Sequence, residues 1–437
     1  MMITPKSTQI ESLGPRRMPS PLRLPRQPGE ASAFVSDERR VRYQIEIGTD
    51  SDLSHDVTFE KAGPRETLFF EPDKTMVAII TCGGVCPGLN NVIRSAVLEL
   101  YHNYGVGNVM GIRYGYAGLN TEVGMPPVKL TPELVSDIHE QGGTLLGSSR
   151  GQQPTDRMVD FLVERNVDIL LCIGGDGTLR GARDIANEVR NRKLNIAVVG
   201  IPKTIDNDVM YVSRTFGLIT AIEKAHQILD CAHGEARSAY NGVGLVKLMG
   251  RDAGFIAATA TVASQEVNFC LIPEVPFVLT GKNGFLETLR RRLEFKPHAV
   301  VAVAEGAGQD LIKNLPAETD ASGNRRYADI GVHLKEQIVN YFRRIGVPID
   351  VKYFDPSYFL RGVPANCDDA LLCDLLARNA VHAAMAGKTN LIVGFWNGTF
   401  THIPISLAVS EKKRVDPEGF LWIGVLATTG QPSKWGE

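Results

Sequence analysis

Short apolar runs that stop at glycines and give way to helix-patterned stretches constrain this fold more than any other feature. Residues 75–81 (TMVAIIT) form one such run, and residues 90–102 behind it carry helical periodicity. Residues 168–173 (DILLCI) repeat the scheme, again ending at glycines and followed by a helical stretch that runs to the neighbourhood of Lys193. Residues 195–200 (NIAVVG), 243–248, 268–272, 298–304 and 390–395 supply further runs. Apolar strands alternating with helices read as βαβ units around mainly parallel sheets. There are more runs than one compact sheet usually holds, so the expected fold class is α/β with two domains.

The first seventy or so residues differ from the rest. Pro5, Pro15, Pro19, Pro21, Pro25 and Pro28 interrupt any helix, and Arg16, Arg17, Arg23 and Arg26 make the stretch basic. Pro and Glu are too frequent for an amphipathic transit helix, so the expectation is a flexible or wrapping arm. A net charge of −2 gives no basic excess for nucleic acid or a membrane surface. No apolar run approaches the roughly 18 residues that span a bilayer, and no secretory signal pattern follows Met1. The seven cysteines are odd in number and form no disulfide framework, which points to a reducing, cytoplasmic compartment. Cys82 and Cys86 flank a glycine turn, but no His or second Cys pair stands at zinc spacing.

In open α/β sheets ligands bind at the carboxyl ends of the strands, so the loops after the apolar runs carry the chemistry. In the first loop, 81–90, Gly83, Gly84 and Gly88 lie between a strand and a helix, where backbone N–H groups offer an anion site. In the second, Gly174, Gly175 and Gly177 surround Asp176, with Thr178 beside them. Small residues let nucleotide phosphates lie on the backbone, and the carboxylate can hold Mg2+. The third, 202–208 (PKTIDND), sets Asp206 and Asp208 beside Lys203 and Thr204. A hydroxyl nucleophile needs a base to take its proton as the phosphoryl group arrives. The alternative is an Asx-turn with solvated charges. The fourth, 249–254 (MGRDAG), offers Arg251 as a fork for phosphate oxygens, or equally a surface ion pair.

Taken in order, these segments resemble the 6-phosphofructokinase family over most of the chain, from residue 75 to residue 407. GGDGT alone is shared with NAD and lipid kinases, whereas PKTIDND followed by MGRDAGF is far more specific. The TCGGVCPG and GSSRG segments and the N-terminal extension are similar to the long ATP-dependent group of trypanosome and plant type. The resemblance implies two Rossmann-like three-layer α/β domains with an active site in the cleft dividing them. The expected division is an arm at 1–72 and a nucleotide-binding domain at 73–212, completed by 386–410. A sugar-phosphate domain follows at 213–385 and a tail at 411–437.

The resemblance further implies that Gly83, Gly84, Arg150, Gly151, Gly175, Asp176, Gly177 and Thr178 bind ATP, with Asp176 on Mg2+. Thr204, Ile205 and Asp206 would face the sugar, with Asp206 as proton acceptor aided by Lys203, Thr204 and Arg251. Met249, Gly250, Arg251, Glu305, Tyr358 and Arg361 would bind fructose 6-phosphate. One departure stands out: the arginine by which short bacterial members reach a neighbouring subunit's site has no counterpart near Gly242.

Two positions bear on the phosphoryl donor. Pyrophosphate-using members usually place Asp where this chain has Gly177, and its bulk and charge oppose an α-phosphate. They share Lys203, which short ATP-dependent members replace by Gly; the long ATP-dependent group combines Gly with Lys, as here. The expected function is therefore an ATP-dependent kinase making fructose 1,6-bisphosphate in glycolysis, acting as a cytoplasmic homotetramer. Pyrophosphate as donor is the nearest alternative. A lipid or NAD kinase would lack PKTIDND and MGRDAG, and a non-catalytic regulatory subunit would be expected to lose Asp176 or Asp206.

Overall fold

The computed structural model describes residues 3–24, 33–46, 57–312, 319 and 326–436. The chain begins with short strands β1 (Glu11–Ser12), β2 (Met18–Pro19), β3 (Arg40–Arg42), β4 (Thr58–Lys61) and β5 (Thr67–Leu68). Then come β6 (Met76–Thr81), α1 (Leu89–Leu98), β7 (Asn108–Ile112), β8 (Val128–Lys129), α2 (Thr155–Glu164), β9 (Ile169–Gly174), α3 (Asp176–Asn191) and β10 (Ala197–Pro202). The middle of the chain holds α4 (Leu218–Ser238), β11 (Gly242–Leu248), α5 (Phe255–Ser264), β12 (Phe269–Leu271), α6 (Phe285–Phe295), β13 (His298–Ala304), α7 (Ile330–Arg344) and β14 (Asp350–Phe354). Last are α8 (Cys367–Met385), β15 (Lys388–Thr389), β16 (Leu391–Trp396), β17 (Thr399–Pro404), α9 (Ile405–Ala408) and α10 (Phe420–Thr429).

Two compact units result. The first comprises residues 1–204, 209–217 and 362–411. Its nine-stranded sheet runs β3-β4-β17-β16-β10-β9-β6-β7-β8. The centre is parallel, with β9 flanked by β6 and β10. All six residues of β9 and of β10 are buried, the reason these strands read as unbroken apolar runs rather than alternating ones. The edges are antiparallel: β16 and β17 form a hairpin, and β4 pairs with β17. Asn397 and Gly398 both have positive φ, of 47° and 77°, which is what a two-residue hairpin turn requires.

The second unit comprises residues 205–208, 218–361 and 412–437. Its sheet is four-stranded, ordered β12-β13-β11-β14 and parallel throughout. The α/β class holds, but the domain boundaries differ from the expected ones. Residues 362–385 go with the first unit, because α8 packs on α1, β10 and β16. Residues 412–437 are no separate tail: α10 packs on α5 and β12, and Trp435 sits in the second unit's core beside Phe269, Phe277 and Phe285. The described part of the arm wraps rather than dangles, since β3 and β4 extend the nine-stranded sheet and β1 pairs with β15. Among the described residues no helix is long and apolar enough to cross a membrane. All seven cysteines are free.

Candidate active site

The first unit gathers the glycine loops around the carboxyl ends of β6, β9 and β10. Lys203, buried at the end of β10, donates from Nζ to the Gly84 carbonyl at 2.7 Å, and its backbone N–H reaches the Gly174 carbonyl at 2.9 Å. The loop after β6 is further tied to the segment that carries Arg150. Gly83 N–H donates to Ser149 O at 3.0 Å, and Ser148 Oγ donates to Gly83 O at 2.6 Å. Gly83 has φ +85° and Gly151 φ +98°, a region that glycine enters without steric penalty. Gly83, Gly84, Lys203 and the Gly147–Gly151 stretch are thus linked by hydrogen bonds.

Gly175 caps α3, whose first residues are Asp176, Gly177 and Thr178. A Cβ added to Gly177 would meet nothing within 4 Å, whereas one on Gly174 would collide with Thr178. Gly174 is therefore fixed by packing, while Gly177 leaves open space at the first turn of a helix, where anions are favoured. Thr178 is held from behind by Tyr116, whose hydroxyl donates to its carbonyl at 2.5 Å. Asp176 forms an ion pair with Arg180 at 3.1 Å. Among the described residues no three His, Cys, Asp or Glu side chains are gathered as a metal cage. A lone carboxylate at a helix start fits a magnesium ion that takes its other ligands from phosphate oxygens and water, rather than an all-protein site.

In the second unit β11 and β13 pair in parallel, Leu248 opposite Ala304, so their exit loops lie side by side. Glu305 N–H donates to Leu248 O at 2.9 Å and Gly306 N–H to Gly250 O at 3.2 Å. A Cβ on Gly306 would collide with the Arg251 carbonyl, so this close approach needs glycine. Met249, Gly250, Arg251 and Glu305 are thereby brought together. The Arg251 guanidinium lies over the Tyr327 ring at 4.6 Å. Burial raises the Glu305 carboxyl above the usual range, and Lys247, Arg251 and Arg361 partly offset this. Arg361 stacks on Tyr358 at 4.9 Å, and Tyr358 is largely exposed.

Asp206 is the most perturbed of the predicted residues. Its Oδ1 is sealed from water, and its carboxyl is pushed up to about 8. Burial is the main cause, followed by the charges of Asp208 and Glu305; Lys412 and the Arg251 backbone N–H act in the opposite direction. A carboxyl so shifted in company with specific charges is a candidate for a functional role.

Three groups in this neighbourhood escaped the sequence reading. Lys412 pairs with Asp208 at 2.5 Å. Lys247, behind Glu305, is held by Asp329 at 2.7 Å and Asp355 at 2.8 Å. Lys413 is half-buried, its Nζ 5.1 Å over the Phe255 ring. Lys412 and Lys413 stand in a Lys-Lys-Arg run that reads as solvated surface, and nothing local marks them.

The sequence profile described as Phosphofructokinase matches residues 76–384. The chain belongs to the phosphofructokinase family. A curated member from Borreliella burgdorferi, named ATP-dependent 6-phosphofructokinase, is 48% identical over 431 residues, covering 97% of this chain and 96% of that protein. The member of the same name from Amycolatopsis methanolica is 47% identical, covering 87% of this chain and 84% of its own length. Among solved structures, a pyrophosphate-dependent phosphofructokinase from Nitrosospira multiformis superposes with a TM-score of 0.66 at 18% identity, over 82% of this chain and 92% of that one. Pichia pastoris phosphofructokinase in the T-state gives 0.63 at 22% identity, over 82% of this chain but only 37% of that longer one. At such identities the two phosphofructokinase structures speak for the fold alone.

Proposed function

We infer that the chain is an ATP-dependent 6-phosphofructokinase, transferring the γ-phosphoryl group of ATP to the 1-hydroxyl of fructose 6-phosphate. The observation that carries this reading is the grouping of Asp206 with Arg251 and Glu305, which follow β11 and β13. That is a proton acceptor, a hydrogen-bond acceptor for a sugar hydroxyl and a cation for phosphate charge. The names of the full-length relatives from Borreliella and Amycolatopsis support ATP as donor.

In this reading Gly83, Gly84, Gly175, Gly177 and Thr178 present backbone to the nucleotide phosphates, with Arg150 and Gly151 on the nucleotide. The open space at Gly177 leaves room for an α-phosphate. Asp176 would hold Mg2+, which when bound neutralises charge on the β- and γ-phosphates. Lys203 stiffens the loop after β6 through its bond to Gly84. Met249, Gly250, Arg251, Tyr358 and Arg361 hold the sugar phosphate. Thr204 and Ile205 lead the chain to Asp206, which takes the hydroxyl proton. Catalysis is then mostly positioning and electrostatics. Assembly as a homotetramer and a cytoplasmic location belong to the same proposal, and light scattering on the purified protein tests the first.

A coupled assay with fructose 6-phosphate and Mg2+, given ATP or pyrophosphate separately, tests the activity, with Asp206→Ala as control. Turnover with ATP that the substitution abolishes is expected. Turnover with pyrophosphate alone would overturn the donor, and none with either would overturn the reading. Because kcat/KM reports groups of the free enzyme, it should climb with pH along a limb centred near 8, where Asp206 ionises.

A further inference from the structure

Asp206 and Asp208 lie two residues apart in one loop, and two carboxylates so close resist ionising together. The second unit supplies a cation from more than two hundred residues downstream. Lys412 Nζ meets Asp208 Oδ2 at 2.5 Å, and the next residue's backbone N–H donates to the Asp208 carbonyl at 3.0 Å. The segment is also fixed beyond that point. Val415 N–H donates to Glu274 Oε1 at 2.8 Å, and the same carboxylate accepts from the Gly254 N–H that opens α5. Lys412 is therefore held by its side chain and by two backbone bonds in the residues that follow it, unlike a lysine held by one surface ion pair.

We propose that Lys412 is a positioning residue for phosphoryl transfer: its ammonium neutralises Asp208 and so keeps the neighbouring Asp206 carboxylate able to accept the sugar proton. The groups facing Asp206 are Asp208 from its own loop, Glu305 from the end of β13, the Arg251 amide from the β11–α5 loop, and Lys412. Lys412 is a side-chain cation among them, and its charge opposes the two carboxylates. Lys413 also feels the Asp208 charge, but desolvation lowers its ammonium to about 7 and its Nζ lies over the Phe255 ring, so at neutral pH it is the weaker cation of the two. The assignment rests on the proposed kinase activity.

The test compares pH profiles of kcat/KM for the intact wild-type, Lys412→Met and Lys412→Arg proteins, with fructose 6-phosphate and ATP. Removing the cation should move the acid limb up by about one pH unit, so that turnover at pH 7 falls about tenfold and recovers in alkali. Arg at 412 should restore the wild-type midpoint. Adding Asp208→Asn to Lys412→Met should bring the midpoint back down, since the charge left uncompensated is then gone. An unchanged midpoint in Lys412→Met, with kcat merely scaled down, would overturn the proposal.

A second readout needs no turnover, so a wild-type protein inactive with these substrates would sink the kinase reading and leave Lys412 testable. The loss of melting temperature in Lys412→Met should grow from about pH 6 to about pH 9 as Asp206 ionises. That growth should shrink when Asp206 is Asn; growth that persists would refute the link.

Discussion

At the scale of single residues, burial and charge set Asp206 apart from an ordinary surface aspartate. Its carboxyl is raised to about 8 from an unfolded value near 4. Across that window the native state binds more protons than the unfolded chain, so stability falls as pH rises from about 4 towards 8. Asp206→Asn removes this liability. It should cost turnover on the order of a thousandfold yet raise the melting temperature at pH 8, by on the order of 2 °C; a coupled assay and thermal melts check the pair. Gly177 allows a second separation of effects. A Cβ there meets open space, and a carboxylate in a first helical turn is locally favourable. Gly177→Asp should therefore fold normally while lowering kcat/KM for ATP about a hundredfold through repulsion of phosphate. A matching fall in melting temperature would point instead to general damage. Asp206, Gly177 and Arg251 were legible because motif residues stand where strands end. Lys412 was not, since the charge it answers lies two hundred residues upstream and long-range pairing leaves no local pattern.

At the scale of elements, the apolar runs located β6, β9, β10, β11, β13 and β16 within a few residues, because strands covered on both faces must be apolar throughout. Strands β3, β4 and β17 were missed. They are short or half-polar, and their partners rather than their own periodicity make them strands. What holds β4 is a buried charge cluster. Glu60 accepts from Arg65 at 2.7 Å and contacts His402 Nδ1 at 2.9 Å; Lys388 reaches Glu60 at 3.2 Å and Asp37 at 3.1 Å. Burial alone would raise the Glu60 carboxyl, but His402, Lys388 and Arg65 outweigh it and hold it at about 2. Burial also lowers His402, so at neutral pH the imidazole serves as a neutral donor and the lasting cations are Lys388 and Arg65. The sign follows: the cluster stabilises the fold above the unfolded carboxyl value near 4.5, and that stability drains as pH falls from there towards 2. Lys388→Met leaves the buried Glu60 and the half-buried Asp37 short of a cation. It should cost about 3 kcal/mol, read from denaturant unfolding at pH 7. Its deficit should narrow in acid, because Glu60 of the variant, no longer held down by Lys388, protonates at higher pH than in the intact protein; a deficit constant down to acid would assign the loss to packing.

At the scale of the whole chain, the two units are not two successive lengths of sequence. The first takes back residues 209–217 and 362–411 after the chain has begun the second, and the second is completed only by 412–437. Composition could not reveal this, because 412–437 opens with charged and turn residues that look like an exposed tail. What decides its place is one aromatic side chain almost at the end. The Trp435 ring lies 6.2 Å from Phe285 and 6.4 Å from both Phe269 and Phe277, and the side chain is 8% exposed. Phe269 is on β12 and Phe285 opens α6, so the ring bridges a strand and a helix of the parallel sheet's outer layer. Gln431 pins the same stretch, accepting from Cys270 N–H at 2.7 Å and donating to Cys270 O at 3.1 Å. These two bonds satisfy backbone groups of β12, which is an edge strand. A truncation or a bulky fusion at the C-terminus should therefore damage a core. Trp435→Ala should cost about 3–5 kcal/mol. Limited proteolysis should then open new cleavage sites within 218–361 while 76–204 stays protected. New sites spread evenly over the chain would mean that Trp435 supports the molecule as a whole; sites confined to the second unit would show that the last residues of the sequence belong to a core begun two hundred residues earlier.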